Sequence, residues 1–174
     1  MGELDEVWSD MLSSASARAR ESGRAEVADY LDLRSSNDLI RRAGVKWIFD
    51  TMLELAAEAN RSRLSVTIDR IDPHSFEHAG ANIVGSRLEF RHGVRCLTVE
   101  AGWTRTPTDG FIRGGGLAIA RLRHFGIPAA GTTLSLIKGG EVAEWRPIDG
   151  ERVGGIVEMH HLGRHIDLLT DFQP

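Results

Sequence analysis

At Arg61 the hydrophobic period of this chain changes, and that change constrains the fold more than any other feature. Before it, apolar residues recur at three-and-four spacing. Val7, Trp8, Met11, Leu12 and Ala15 mark an amphipathic helix over residues 3–21, with Gly23 as its stop. A shorter helix follows through Val27, Ala28, Tyr30 and Leu31. Ser35-Ser36-Asn37-Asp38 offers capping side chains for a third, running to about Asn60 with Leu39, Ile40, Ala43, Trp47, Ile48, Met52, Leu55 and Ala56 on its apolar face. After Arg61 the period becomes two. Leu64, Val66 and Ile68 alternate with Ser65, Thr67 and Asp69, as in a half-buried strand.

Turn signals then recur at hairpin intervals: Asp72-Pro73-His74, His92-Gly93, Thr106 to Gly110, Lys138 to Glu141 and Asp149-Gly150. No strand–helix–strand alternation appears, which argues against a parallel sheet. The expected fold is α+β: about three N-terminal helices, then a mostly antiparallel, curled sheet of seven to nine short strands. Residues 1–174 read as a single domain, helical over 1–60 and β over 61–174. With His92-Gly93 as a two-residue turn, Leu88 faces Leu97, so Leu88, Phe90, Leu97 and Val99 share one face.

Composition narrows the function classes. The single cysteine, Cys96, excludes an internal disulfide and a cysteine-based zinc site. In the register above it falls opposite Glu89, whose carboxylate disfavours thiolate, so it is not expected to be a nucleophile. No segment approaches the ~20 apolar residues of a membrane helix. The N-terminus M-G-E-L-D-E-V-W lacks the basic start and apolar run of a secretory signal. A soluble, cytoplasmic protein without a membrane partner is the expectation.

The densest group of chemistry-bearing side chains is Ile156 to Phe172, read as a final hairpin turning at Gly163-Arg164. That register puts Val157, Met159, His161, Ile166 and Leu168 on an apolar face. Glu158, His160, His165 and Asp167 form the other face, with His160 opposite Asp167. Imidazoles and carboxylates are ligands for a zinc-like divalent metal, and His160 with Asp167 would make a catalytic acid–base pair.

A second constellation is arginine-rich. Arg91, Arg95, Arg105, Arg113, Arg121 and Arg123 lie on the central strands with Trp103 nearby. Arginine beside aromatics suits an anionic ligand or single-stranded nucleic acid. Yet the chain carries 19 Arg to 2 Lys and a net charge of −4, so the count partly reflects a compositional habit. Ala43-Gly44-Val45 also resembles the turn of a helix-turn-helix, with Lys46 to Ala59 as recognition helix. Asp50, Glu54 and Glu58 on its exposed side would repel phosphate.

Three functions follow in order of preference. The first is a non-catalytic ligand- or protein-binding module built on the curled sheet. The second is a metal-dependent or acid–base enzyme of hydrolase type using the last hairpin. The third is a nucleic-acid binder using the arginine strands, which is not favoured. Whether the chain is an enzyme stays open at this level. Phe49 and Leu53 flank the main stripe of the third helix, which points to a homodimer through that helix.

Overall fold

The computed structural model describes residues 3–140 and 142–170. Glu141 of the Lys138–Glu141 turn, and Asp171 and Phe172 of the last stretch, lie outside the described residues. The helices are α1 (Glu3–Glu21), α2 (Ala25–Arg61) and α3 (Met159–Thr170). Between them run β1 (Thr67–His78), β2 (Ala81–His92), β3 (Arg95–Trp103), β4 (Ala118–His124), β5 (Ile127–Lys138), β6 (Ala143–Asp149) and β7 (Arg152–Val153). The seven strands form an antiparallel sheet in sequential order that does not close on itself. This is the α+β architecture that the change of period implies. The chain divides into two compact units, Met1–Arg42 and Ala43–Pro174, with the boundary inside α2. Among the described residues no helix is long and apolar enough to cross a membrane.

The first unit is a helical hairpin. Gly23, at φ +72°, ends α1. There the Arg24 amide reaches the Ala19 carbonyl and the Gly23 amide that of Arg20, closing the turn that left-handed glycine permits. Ser16 donates to Asp32 at 2.6 Å, Arg20 pairs with the same carboxylate, and the Arg34 guanidinium lies over the Trp8 ring.

The second and third helices of the sequence reading are one helix. Ser35 to Asp38 lie inside α2 rather than capping a new start. Neither Pro nor Gly interrupts there, serine and asparagine cost a helix interior well under ~1 kcal/mol each, and Asp38 pairs with Arg41 one turn on.

In the second unit, Val45, Ile48, Phe49, Met52 and Ala56 form the buried stripe of residues 43–61 of α2. Gly44 does not break the helix, so the helix-turn-helix reading fails. It is a point of close approach between helix and sheet. A Cβ there would lie 2.6 Å from a Leu136 methyl, and the Trp145 indole donates to the Gly44 carbonyl at 3.0 Å. Phe49 is buried with Arg70 over its ring, so it forms no second exposed stripe on α2.

The facing sheet surface carries Leu88, Phe90, Leu97, Val99, Ala101, Ala120, Leu122, Leu134, Leu136 and Trp145, all buried and in register across β2 to β6. The β2–β3 loop is Gly93-Val94, one position later than expected, with Gly93 at φ +58°. Leu88 therefore pairs with Val99, and Cys96 with Arg91 rather than Glu89. The slip is two residues of pairing, and a period-two strand keeps its faces through it. The other surface has a smaller core of Phe76, Ala81, Ile83 and Ile119. Gly85 and Gly102 are paired across β2 and β3, where a Cβ on either would collide with the opposite strand's backbone.

Candidate ligand-binding site

The last stretch is a helix, not a hairpin. Leu162, Ile166 and Leu169 recur at four-and-three spacing and are buried. Gly163, read as the turn, is an interior helical residue, where a Cβ would meet a Leu55 methyl at 3.8 Å. The start of α3 is fixed locally. The Glu158 amide donates to Nδ1 of His161 at 3.0 Å, and the His161 amide returns to the Glu158 carbonyl at 3.0 Å. That reciprocal pair satisfies helix-end groups in the manner of a capping box.

The helix does not bring the four proposed metal ligands together. Residues 160 and 167 stand about 10 Å apart along its axis at ~1.5 Å per residue, so His160 and Asp167 do not meet. His160 keeps an exposed contact with Glu158 at 3.3 Å, Asp167 is exposed, and His165 turns inward. Among the described residues no group of three or more His, Cys, Asp or Glu is placed to hold a metal ion.

What α3 builds instead is a cleft. It lies between α3, the segment Gly155–Val157 and the adjoining surface of β4 to β6, and offers about 440 Å³ of space open to solvent. Most of its lining is apolar: Leu122, Ala130, Leu134, Pro147, Ile156, Val157, Leu162 and Leu168. Polar groups come from Thr132, His161, Arg164 and His165. The volume falls inside the ~300–1,000 Å³ of ordinary small-molecule sites, which share this mixture of apolar wall and few polar groups.

His165 links the cleft to the sheet. Its Nδ1 lies 2.9 Å from Nε2 of His124 and its Nε2 lies 3.2 Å from the Thr132 hydroxyl, so both ring nitrogens are engaged. The two imidazoles stack with centroids 5.2 Å apart. Burial lowers the His165 pKa to about 4, with the neighbouring His124 adding to the effect. Burial, then the charge of Arg95, lowers that of His124. The pair is therefore neutral at pH 7, one ring donating to the other.

The arginines do not form one surface. Arg91, Arg121 and Arg123 face away from the cleft and are matched by carboxylates. Arg91 and Arg87 flank Glu89, and their hydrogen bonds and charges lower its pKa, Arg91's bond most. Glu100, 1% exposed, accepts from Arg121 at 2.8 Å, pairs with Arg123 at 3.1 Å and hydrogen-bonds His74 at 2.9 Å. Arg95 donates to the Leu168 carbonyl near the end of α3 at 2.6 Å. Arg105 lies over Trp103, and Arg113 is exposed in the connection before β4. Arg91, Arg121 and Arg123 are thus engaged by carboxylates within the fold, while Arg113 stays exposed.

Sequence reasoning located the segment but not its chemistry. His124 was legible as an inward position, since it follows Leu122 at period two, yet nothing local shows that it meets His165. Thr132 and Arg164 carried no local signal. No protein-family model matches the chain, and neither a curated protein nor a solved structure does.

Proposed function

We propose that this chain is a non-catalytic, small-molecule-binding module, soluble and cytoplasmic, whose site is the cleft under α3. The observation that carries the reading is the cleft itself: about 440 Å³, walled by Leu122, Leu134, Pro147, Val157, Leu162 and Leu168. A concave apolar wall with a few convergent polar groups is the usual setting of a small-molecule site. The polar lining supports binding over catalysis. Among the described residues no serine, cysteine or carboxylate side chain lines the cleft, and His165 has both nitrogens committed to protein partners. An apolar probe of nine heavy atoms such as 1-octanol, at ~0.5 kcal/mol per atom, should bind with a Kd of about 0.5 mM. The test is an amide NMR titration with 1-octanol. Shift changes should cluster at residues 122, 130–134, 155–157 and 161–168, whereas changes scattered over the surface, or none, would defeat the reading.

Self-association belongs to the same proposal, through a different set of side chains from the one the sequence suggested. Val7, Met11, Tyr30, Leu33 and Leu39 of α1 and the first part of α2 are all more than half exposed. A second copy of the chain is the partner proposed for them. Sedimentation equilibrium should give a dimer mass that reverts to monomer in Met11→Glu; a wild-type monomer at ~100 µM, well above the Kd of an ordinary stable dimer, would remove the proposal.

A further inference from the structure

The polar groups of the cleft restrict what its ligand can carry. Among the described residues its only formally charged lining residue is Arg164, and none is acidic. Arg164 is exposed and makes no hydrogen bond or ion pair among the described residues. His161, three positions earlier and so on the same side of α3, also lines the cleft. Its Nδ1 already accepts the Glu158 amide, so the neutral ring carries its proton on Nε2 and offers a donor there. The remaining polar side chains of the lining are engaged, since His165 and Thr132 bond one another and His165 bonds His124. The cleft thus presents uncommitted donors, one of them cationic, beside an apolar wall.

We infer that the ligand is a small amphipathic acid, with a carboxylate held by Arg164 and His161 and an aliphatic or aromatic body against Leu122, Leu134, Leu162 and Leu168. This rests on the reading of the cleft as a binding site and adds the class of ligand. A planar guanidinium suits a carboxylate because two parallel N–H groups meet its two oxygens. A cationic ligand would meet Arg164 with like charge. A neutral one would leave the guanidinium unmatched and gain only the apolar contacts.

The experiment compares octanoate with 1-octanol by amide NMR titration, in the wild type and in Arg164→Gln and Arg164→Lys. The two probes share a chain and differ in charge. Octanoate should bind about tenfold more tightly than 1-octanol. Arg164→Gln should abolish that preference while leaving 1-octanol affinity within about twofold, and Arg164→Lys should restore part of it. Equal affinity for the two probes, or octanoate binding unchanged by Arg164→Gln, overturns the acid inference while the cleft stands as an apolar site. If neither probe moves cleft resonances, the inference and the reading beneath it both fall. Arg164 is exposed, so the amide spectra of the variants should remain dispersed and the comparison interpretable.

Discussion

Acid should weaken this fold well before its carboxylates titrate, and His165 should be a main cause. Its pKa falls from 6.5 to about 4 on folding because burial disfavours the charged ring. Between those values the unfolded chain binds a proton that the folded chain refuses. Stability therefore rises with pH across that window, is complete above pH 6.5, and is lost as pH falls toward 4. At ~1.4 kcal/mol per pKa unit the group contributes about 3 kcal/mol, so each pH unit within the window removes about 1.4 kcal/mol. Urea denaturation at pH 7.5, 6.5, 5.5 and 4.5 reads this directly. His124 and His78, whose pKa values burial also lowers, add to the wild-type slope, so the informative quantity is the difference from His165→Gln. That variant cannot titrate there, and its stability should fall less steeply with acid. Stability curves for wild type and variant that run parallel from pH 6.5 to 4.5 would refute the reasoning, whatever their vertical offset.

Two further expectations concern the opposite surface of the sheet, and one the contact of helix with sheet. Glu100→Gln removes the charge shared by Arg121 and His74, which are themselves largely covered, and should cost about 3 kcal/mol by urea denaturation. Gly85→Ala places a methyl against the Ala101 carbonyl, where no side chain can give way, and should cost at least about 3 kcal/mol or abolish folding, visible as lost amide dispersion. Trp145→Phe removes the hydrogen bond to the Gly44 carbonyl and should lower stability by about 1 kcal/mol.

How much of this was legible in the sequence depends on how far each feature reaches along the chain. The sheet was legible because alternation is local and redundant. Leu88, Phe90, Leu97 and Val99 fall on one face in the expected and the observed register alike, since the two differ by two residues. The continuity of α2 was hidden by Ser35 to Asp38, which read as caps although a helix tolerates them inside. The nature of α3 was ambiguous because both periods fit it. Met159, His161, Ile166 and Leu168 satisfy a hairpin around Gly163, while Leu162, Ile166 and Leu169 satisfy a helix. A polar face with four ligand-type side chains favoured the hairpin, and packing decided otherwise. The cleft lay beyond local reading, since it depends on His124 and Thr132, 41 and 33 residues before His165.

The most direct test of the cleft as the working site is to fill it. Ala130 is half-buried in its wall, and Ala130→Trp puts an indole into the space a ligand would take. Amide NMR titration with 1-octanol, run on the wild type and on Ala130→Trp at matched concentration, should show saturable binding in the first and at least tenfold weaker binding in the second, with both spectra dispersed. Equal affinity in the two proteins would contradict the account, because binding would then lie elsewhere.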